Sequence, residues 1–171
     1  SALAQDVRTS VDTVRRWITT LQAFHVGFLV RPWYRNVARS LRKEPKWYLR
    51  DWSGIEEEGS RFETFVACHL LKAVEGWTDL GWGDFELRYL RDKAKREVDF
   101  VVIRDRKPWF LVEAKVADQR PSPSLDYFQK QTGAPYAFQV VLQTAEEVVD
   151  AFERPNGPVT VSAVSFLSQL L

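Results

Sequence analysis

Asp99, Glu113 and Lys115 are the residues of this chain whose types and spacing could do chemistry together. They lie in the stretch Glu97–Lys115, EVDFVVIRDRKPWFLVEAK, with thirteen residues between Asp99 and Glu113. Two carboxylates and an ammonium at the end of an otherwise apolar stretch are costly to desolvate, several kcal/mol each without partners. Hard carboxylate oxygens suit a divalent cation such as Mg²⁺ or Mn²⁺, and a cation would relieve that cost. The plainer alternative is that these charges sit at a solvated sheet edge, or pair as Glu97 with Lys115 and do nothing more.

The elements that must position them are two strands. Val98–Ile103 and Trp109–Val112 are rich in Val, Ile, Phe and Trp and too short for helices. With the polar turn Arg104–Lys107 between them they read as a buried hairpin. Strict alternation puts Glu97, Asp99, Val101 and Ile103 on one face. If Ile103 lies opposite Trp109, then Val101 faces Leu111, Asp99 faces Glu113 and Glu97 faces Lys115. A slip of one residue would undo the arrangement, because register decides the face each side chain takes.

An Asp on one strand and Glu-Ala-Lys on the next resembles the signature of the PD-(D/E)XK nuclease superfamily. The segments TVRRWITTLQAFHVGFLV, PKWYLRDWS, GSRFETFVACHLLKAVE, LRYLRDKAKREVDFVV and FLVEAK resemble, in order, the C-terminal region of a family of AAA-type ATPases. That likeness covers nearly all of the chain. It implies a winged-helix segment followed by a restriction-endonuclease-like α/β domain with an αβββαβ core and a mixed sheet. It also implies that Asp99 and Glu113 hold Mg²⁺ or Mn²⁺, with Glu63 and the Ala114 carbonyl as further ligands, and that Lys115 acts on the attacking water. Some branches of the superfamily carry Gln-x-x-x-Tyr in the second core helix. Here Gln129 is followed by Gly133 at the Tyr position, and Gln131 meets Tyr136 one residue late.

Composition sets the outer bounds. Hydrophobic residues make up 45% and charged residues 27% of 171 positions, a globular balance that argues against disorder. No run reaches the ~18 apolar residues of a membrane span, and the first ten residues lack a signal-peptide pattern. Cys68 is alone, so an internal disulfide or a cysteine zinc cluster is excluded and a reducing cytoplasm is expected. No GxxxxGK[ST] loop occurs, so ATP is expected only through an ATPase module upstream, of which this chain would be an excised fragment. Charge is uneven. Residues 1–50 carry ten Lys/Arg against three Asp/Glu, a net of +7, and residues 51–171 carry a net of −6. The first third therefore carries the nucleic-acid expectation.

In that first third, Ala2–Val7 reads as a short helix and Ser10 caps a second one. Val11, Val14, Trp17 or Ile18, Leu21 and Phe24 form its apolar stripe, leaving Arg15 and Arg16 outward, a helix-turn-helix pattern. The helix offers few of the Asn, Gln and Ser side chains that read base edges, so it serves equally as a surface packing on the ATPase. Val26–Val30 and Lys46–Arg50 read as strands, with Arg31, Arg35, Arg39, Arg42 and Lys43 in or near the connection, interleaved with Trp33 and Tyr34. That connection is either a phosphate-contacting wing or a solvated basic loop. Asp51–Gly59 is a polar linker, placing a domain boundary near residue 50.

Ser60–Glu75 is strongly periodic, with Phe62, Phe65, Val66, His69, Leu70, Ala73 and Val74 on one face. Glu63 falls within that face and needs a partner, a metal or an arginine such as Arg61 or Arg88. His69 reads as a hydrogen-bonded core residue, and Gly76–Gly83 as a loop. A strand at Phe85–Leu90, a helix Leu125–Gln131 capped by Ser124 and ended by Gly133, and a strand Tyr136–Gln143 follow. Glu146–Phe152 reads as a helix, Val159–Val164 as a strand and Ser165–Leu171 as a terminal helix. Two functions fit: a metal-dependent, DNA-cleaving phosphodiesterase, or a nuclease-like module that docks partners or regulates the ATPase. If the basic third carries DNA affinity, replacing Arg15, Arg16, Arg35 and Arg39 by Ala should weaken all sequences alike. In fluorescence titrations, the log–log salt slope should fall by roughly 0.9 for each phosphate left without its arginine. Equal low-salt affinity of the quadruple variant and the unaltered chain would remove the DNA reading.

Overall fold

The central hairpin is β4 (Glu97–Arg104) and β5 (Lys107–Ala117), joined by the two residues Asp105 and Arg106. The structure is a computed structural model that describes residues 2–34, 44–117, 120–143, 150–153 and 157–170. Asp105 and Arg106 both have positive φ, 49° and 68°, as a two-residue turn between right-twisted strands requires. Val101 lies opposite Leu111, as read from the sequence. A register shift near the turn then pairs Ile103 with Pro108 rather than with Trp109. Proline has no N–H to give to the ladder, so an irregularity there costs little.

Around the hairpin the described elements run in order. They are α1 (Ala2–Asp6), α2 (Val11–Ala23), β1 (Gly27–Pro32), β2 (Lys46–Leu49), α3 (Glu58–Asp79) and β3 (Phe85–Arg91), then β4 and β5. α4 (Pro123–Thr132), β6 (Tyr136–Gln143), a 3₁₀ turn (Ala151–Glu153), β7 (Pro158–Ser162) and α5 (Ala163–Ser168) complete them. The strands form one seven-stranded mixed sheet, ordered β2-β1-β3-β4-β5-β6-β7. β3, β4 and β5 run antiparallel, whereas β5, β6 and β7 are parallel, as β1 and β3 are. From α3 to β6 the order is helix, three strands, helix, strand, as the sequence predicted.

Apolar side chains cover both faces of the sheet. On one face Phe62, Val66, Leu70 and Val74 of α3 pack with Phe100, Val102, Phe110, Val112, Phe138 and, from α5, Phe166. On the other, Leu125 and Phe128 of α4 meet Val98, Val101, Ile103 and Leu111. Val98 and Val101 thus share a face and Phe100 takes the opposite one, so strict alternation fails between them. The cause is a bulge: between the pairs Arg88–Val101 and Leu90–Val98, β4 has two residues, Asp99 and Phe100, where β3 has only Tyr89. Asp99 is one of the bulged residues.

Several element boundaries differ from the sequence reading. α3 continues through Trp77 to Asp79, because Trp77 is buried against Phe85 and Trp109 at 5.1 and 5.4 Å between ring centroids. Tertiary packing outweighs the low helix propensity of Gly76. Ser122, not Ser124, caps α4, its hydroxyl accepting from Ser124 N–H, and Gly133 closes the helix at φ 73°. Most of the helix expected over Glu146–Phe152 falls outside the described residues, where only the 3₁₀ turn is seen.

The first third is joined to the rest through the sheet. β1 and β2 pair with each other as expected, yet Arg31 and Pro32 of β1 also pair with Arg88 and Tyr89 of β3. The two strands expected to flank a basic wing, on the N-terminal side of a boundary near residue 50, therefore continue the main sheet, and residues 35–43 of the connection lie outside the described residues. The pair joins at its far end, and Tyr48 of β2 packs its ring 5.6 Å from Phe100. Gly27 makes the tight crossing with β2 possible, since a Cβ there would meet Trp47 and the Tyr48 carbonyl at 2.4 Å. Of the apolar stripe on α2, only Val14 is buried, and Val11, Trp17, Leu21 and Phe24 stay exposed.

Phe110 is fully buried beside Trp109, Phe138, Phe152 and Phe166. Phe110→Ala should cost about 3–5 kcal/mol in urea unfolding. Val164→Ala, at an 81% exposed position, should change stability by less than about 0.5 kcal/mol.

Candidate functional site

Four carboxylates converge where β4, β5, α3 and β2 meet. Asp99 comes from the bulge, and its Oδ2 accepts from the Ala114 N–H at 3.0 Å. That bond ties the aspartate to the strand carrying Glu113 and Lys115. Glu113 is 7% exposed, its Oε1 lies 2.8 Å from Lys115 Nζ, and its Oε2 has no hydrogen-bond partner among the described residues. Gln139, 1% exposed, lies beside Glu113 in the β5–β6 pairing and accepts from the Ser122 N–H. Glu63 enters from α3, as the helical period requires.

The partners of these carboxylates come from an unexpected place. Lys46, the first residue of β2, puts its Nζ 2.6 Å from Glu97 Oε1, 3.2 Å from Glu63 Oε1 and 3.6 Å from Asp99 Oδ1. Tyr48, two residues on and so on the same side of the strand, donates its hydroxyl to Glu63 Oε1 at 2.5 Å. The expected arginine partners of Glu63 go elsewhere: Arg88 pairs with Glu86, and Arg61 donates to the Ile55 carbonyl. The expected pair of Glu97 with Lys115 is also replaced. Glu97 is held by Lys46 and by Arg91 at 3.4 Å, and Lys115 by Glu113.

Electrostatics follow from this crowding. Burial pushes the Asp99 carboxyl up to about 7, and the negative charges of Glu63 and Glu113 push the same way against Lys46 and the Ala114 N–H. Burial alone would lower Lys46, but Glu63, Asp99 and Glu97 outweigh it and hold the amine above its ordinary value. Lys115 likewise stays above its ordinary value through Glu113, despite burial. Tyr48 is raised by burial and by Glu63, so it is a firm proton donor.

The resemblance implies a divalent cation here, and the donors fit one in kind. Asp99, Glu113 and Glu63 supply hard oxygens, and the buried, unpartnered Glu113 Oε2 is a ready ligand atom. Their arrangement is another matter. Among the described residues no group of three His, Cys, Asp or Glu side chains is placed to hold a metal ion. The carboxylates of Glu63, Glu97 and Asp99 gather on the Lys46 ammonium instead.

The remaining site expectations divide. Arg15, Arg16 and Arg31 are exposed, with Arg15 paired to Asp12 at 3.1 Å. Arg35, Arg39, Arg42 and Lys43 lie outside the described residues. His69 stacks edge-on against Phe65 at 4.5 Å, and burial lowers its imidazole below the ordinary value. No helix among the described residues is long and apolar enough to cross a membrane.

The described strands thus form a mixed α/β sheet with Asp99 on one central strand and Glu113, Ala114 and Lys115 on the next. Residues 58–162, more than half of the sequence, match the family model described as a domain of unknown function, DUF4143, and the chain belongs to that family. Residues 1–55 match a second domain of unknown function, DUF8612. The two matches meet in the polar stretch after β2, although β1 and β2 share a sheet with β3–β7. No curated protein matches the chain. Among solved structures, a chain of the Thermococcus gammatolerans McrB AAA+ hexamer assembly with bound McrC is similar at 14% identity and a TM-score of 0.40. The match covers 64% of this chain and 29% of that one, so the present chain spans less than a third of its length.

Asp99 gives a pH prediction. Its folded value near 7 lies above the ordinary 3.8, so the folded state keeps a proton that the unfolded chain releases. The resulting stability is complete below about pH 4 and is lost as pH rises through 7. Melting temperatures in EDTA should therefore show a downward component across that window, and Asp99→Asn should flatten it. Parallel pH profiles for the two proteins would contradict the assignment.

Proposed function

We propose that this domain is a metal-dependent phosphodiesterase of the PD-(D/E)XK type acting on DNA, and that it works as the C-terminal part of an AAA-type ATPase. The observation that carries the reading is the convergence of Asp99, Glu113, Lys115 and Glu63, with Glu113 Oε2 buried and unpartnered. In this reading the core from α3 to β6 is the αβββαβ unit of that superfamily, and the basic first third supplies the attraction for phosphates.

Asp99 and Glu113 would hold the Mg²⁺ or Mn²⁺, with Glu63 as a further ligand. When bound, the cation supplies a water of lowered pKa and neutralises charge developing on the phosphate. The chain's own residues do the rest. The Ala114 N–H fixes the orientation of Asp99 relative to β5. Lys115, kept as an ammonium by Glu113, orients the attacking water and donates to the oxygen on which charge develops. The Tyr48 hydroxyl locks the Glu63 carboxylate in place.

A second reading has one observation in its favour. The ammonium of Lys46 already sits among three carboxylates, which suits a nuclease-like module that docks partners or regulates the ATPase without turnover. Cleavage assays separate the two. The first reading expects nicking or cutting of DNA with Mg²⁺ or Mn²⁺, none in EDTA, none with Asp99→Ala, and a loss of about 10²-fold or more with Lys115→Ala. Cleavage persisting in Asp99→Ala would sink it, as would the absence of both cleavage and Mn²⁺ binding in every folded form of the chain, variants with a neutral residue at position 46 included.

A further inference from the structure

We propose that Lys46 is a tethered counter-ion that keeps the carboxylate site closed to divalent cations until its ammonium is displaced. The inference rests on the metal-site reading above and adds a residue from outside the α3–β6 core to its control. Three of the four site carboxylates turn toward a single Nζ: Glu97 at 2.6 Å, Glu63 at 3.2 Å and Asp99 at 3.6 Å. A Mg²⁺ ion needs its oxygens at about 2.0–2.1 Å, and a full cation at that spot cannot share it with an ammonium. The fourth carboxylate, Glu113, is only 7% exposed, keeps one oxygen without a hydrogen-bond partner among the described residues, and acts electrostatically on Asp99.

The hairpin that carries Lys46 is built so that this ammonium can move. Among the described residues β2 is an edge strand that pairs with β1. β1 in turn pairs with β3 at Arg31 and Pro32, at the end of the strand away from Gly27, and the Trp33 N–H adds a bond to the Tyr89 carbonyl at 2.8 Å. The Lys46 end of β2 is further held by the Tyr48 hydroxyl on Glu63 and by the Tyr89 hydroxyl donated to the Glu44 carbonyl. Phe28, Val30 and Tyr48 anchor the hairpin in the core, whereas the Lys46 ammonium is held by polar contacts at a partly exposed rim and keeps 24% of its side chain accessible. A four-carbon stem with a single point charge can swing out to solvent without unfolding the strand.

The test is calorimetric titration of MnCl₂ into the 1–171 chain, unaltered and as Lys46→Met, Lys46→Gln and Lys46→Arg. Met and Gln remove the charge, and Gln keeps hydrogen-bonding capacity toward Glu97 and Glu63. Both should bind Mn²⁺ at least roughly tenfold tighter than the unaltered chain, while Lys46→Arg should not. Circular dichroism in EDTA and in Mn²⁺ accompanies each titration. A neutral variant that folds only with Mn²⁺ supports the same conclusion, and one that stays unfolded in Mn²⁺ overturns it. If the unaltered chain binds Mn²⁺ and the neutral variants bind no tighter, the Lys46 proposal fails and the nuclease reading stands. If no folded version binds Mn²⁺, both fail.

Discussion

Four carboxylates held at one end of a buried sheet are the constraint on which the rest of this structure depends. Glu63, Glu97, Asp99 and Glu113 come from three different elements, and none could be taken out of water alone. Two ammonium groups and the Arg91 guanidinium compensate them, and every one of these cations is fixed by a different strand: β2, β5 and β3. The sheet order is what permits this. β4 lies between β3 and β5, so its two acidic residues can be met from both neighbours, while α3 and β2 close the site over one face.

The apolar architecture supports that charge balance rather than competing with it. Phe100, the second residue of the bulge, is fully buried under Tyr48, so packing holds open the backbone distortion that aims Asp99. On the same face of the sheet, Trp77, Phe85, Trp109, Phe110, Phe138, Phe152 and Phe166 form a continuous aromatic mass. That mass fixes the α3–β5 distance and therefore how near Glu63 comes to Asp99. Aromatic contacts of this kind contribute roughly 0.5–1.5 kcal/mol each beyond the burial of their area.

The sequence made the hairpin, its Val101–Leu111 register and the α3–β6 element order legible because local periodicity and turn chemistry encode them. Asp99, Glu113 and Lys115 were brought near one another by the same strand register, whereas Glu63 was joined to them only through the family resemblance. Lys46 and Tyr48 were not legible as part of the site. They stand 17 and 15 residues from Glu63, and nothing in a basic, aromatic stretch says that its second strand will return to the sheet. A lone carboxylate on an apolar helix face announced that a partner was needed, but Arg61 and Arg88 were the wrong candidates, since they go to the Ile55 carbonyl and Glu86. The bulge at Asp99 escaped too, since alternating and bulged strands share one composition. Trp77 shows the same limit: Gly76, Gly81 and Gly83 suggested a loop, and only the distant Phe85 and Trp109 make the extra helical turn favourable.

Gly27 governs the site from outside it. It touches no carboxylate, yet it lets Trp47 and the Tyr48 carbonyl close onto β1, and so sets how far along the strand Lys46 reaches. Any side chain there would pry the two strands apart and withdraw the ammonium from the site. A single methyl group on the outer rim would thus act like the removal of a charge from the centre. Natural variation at this glycine should therefore be read together with the acidic residues, as one electrostatic unit inherited whole.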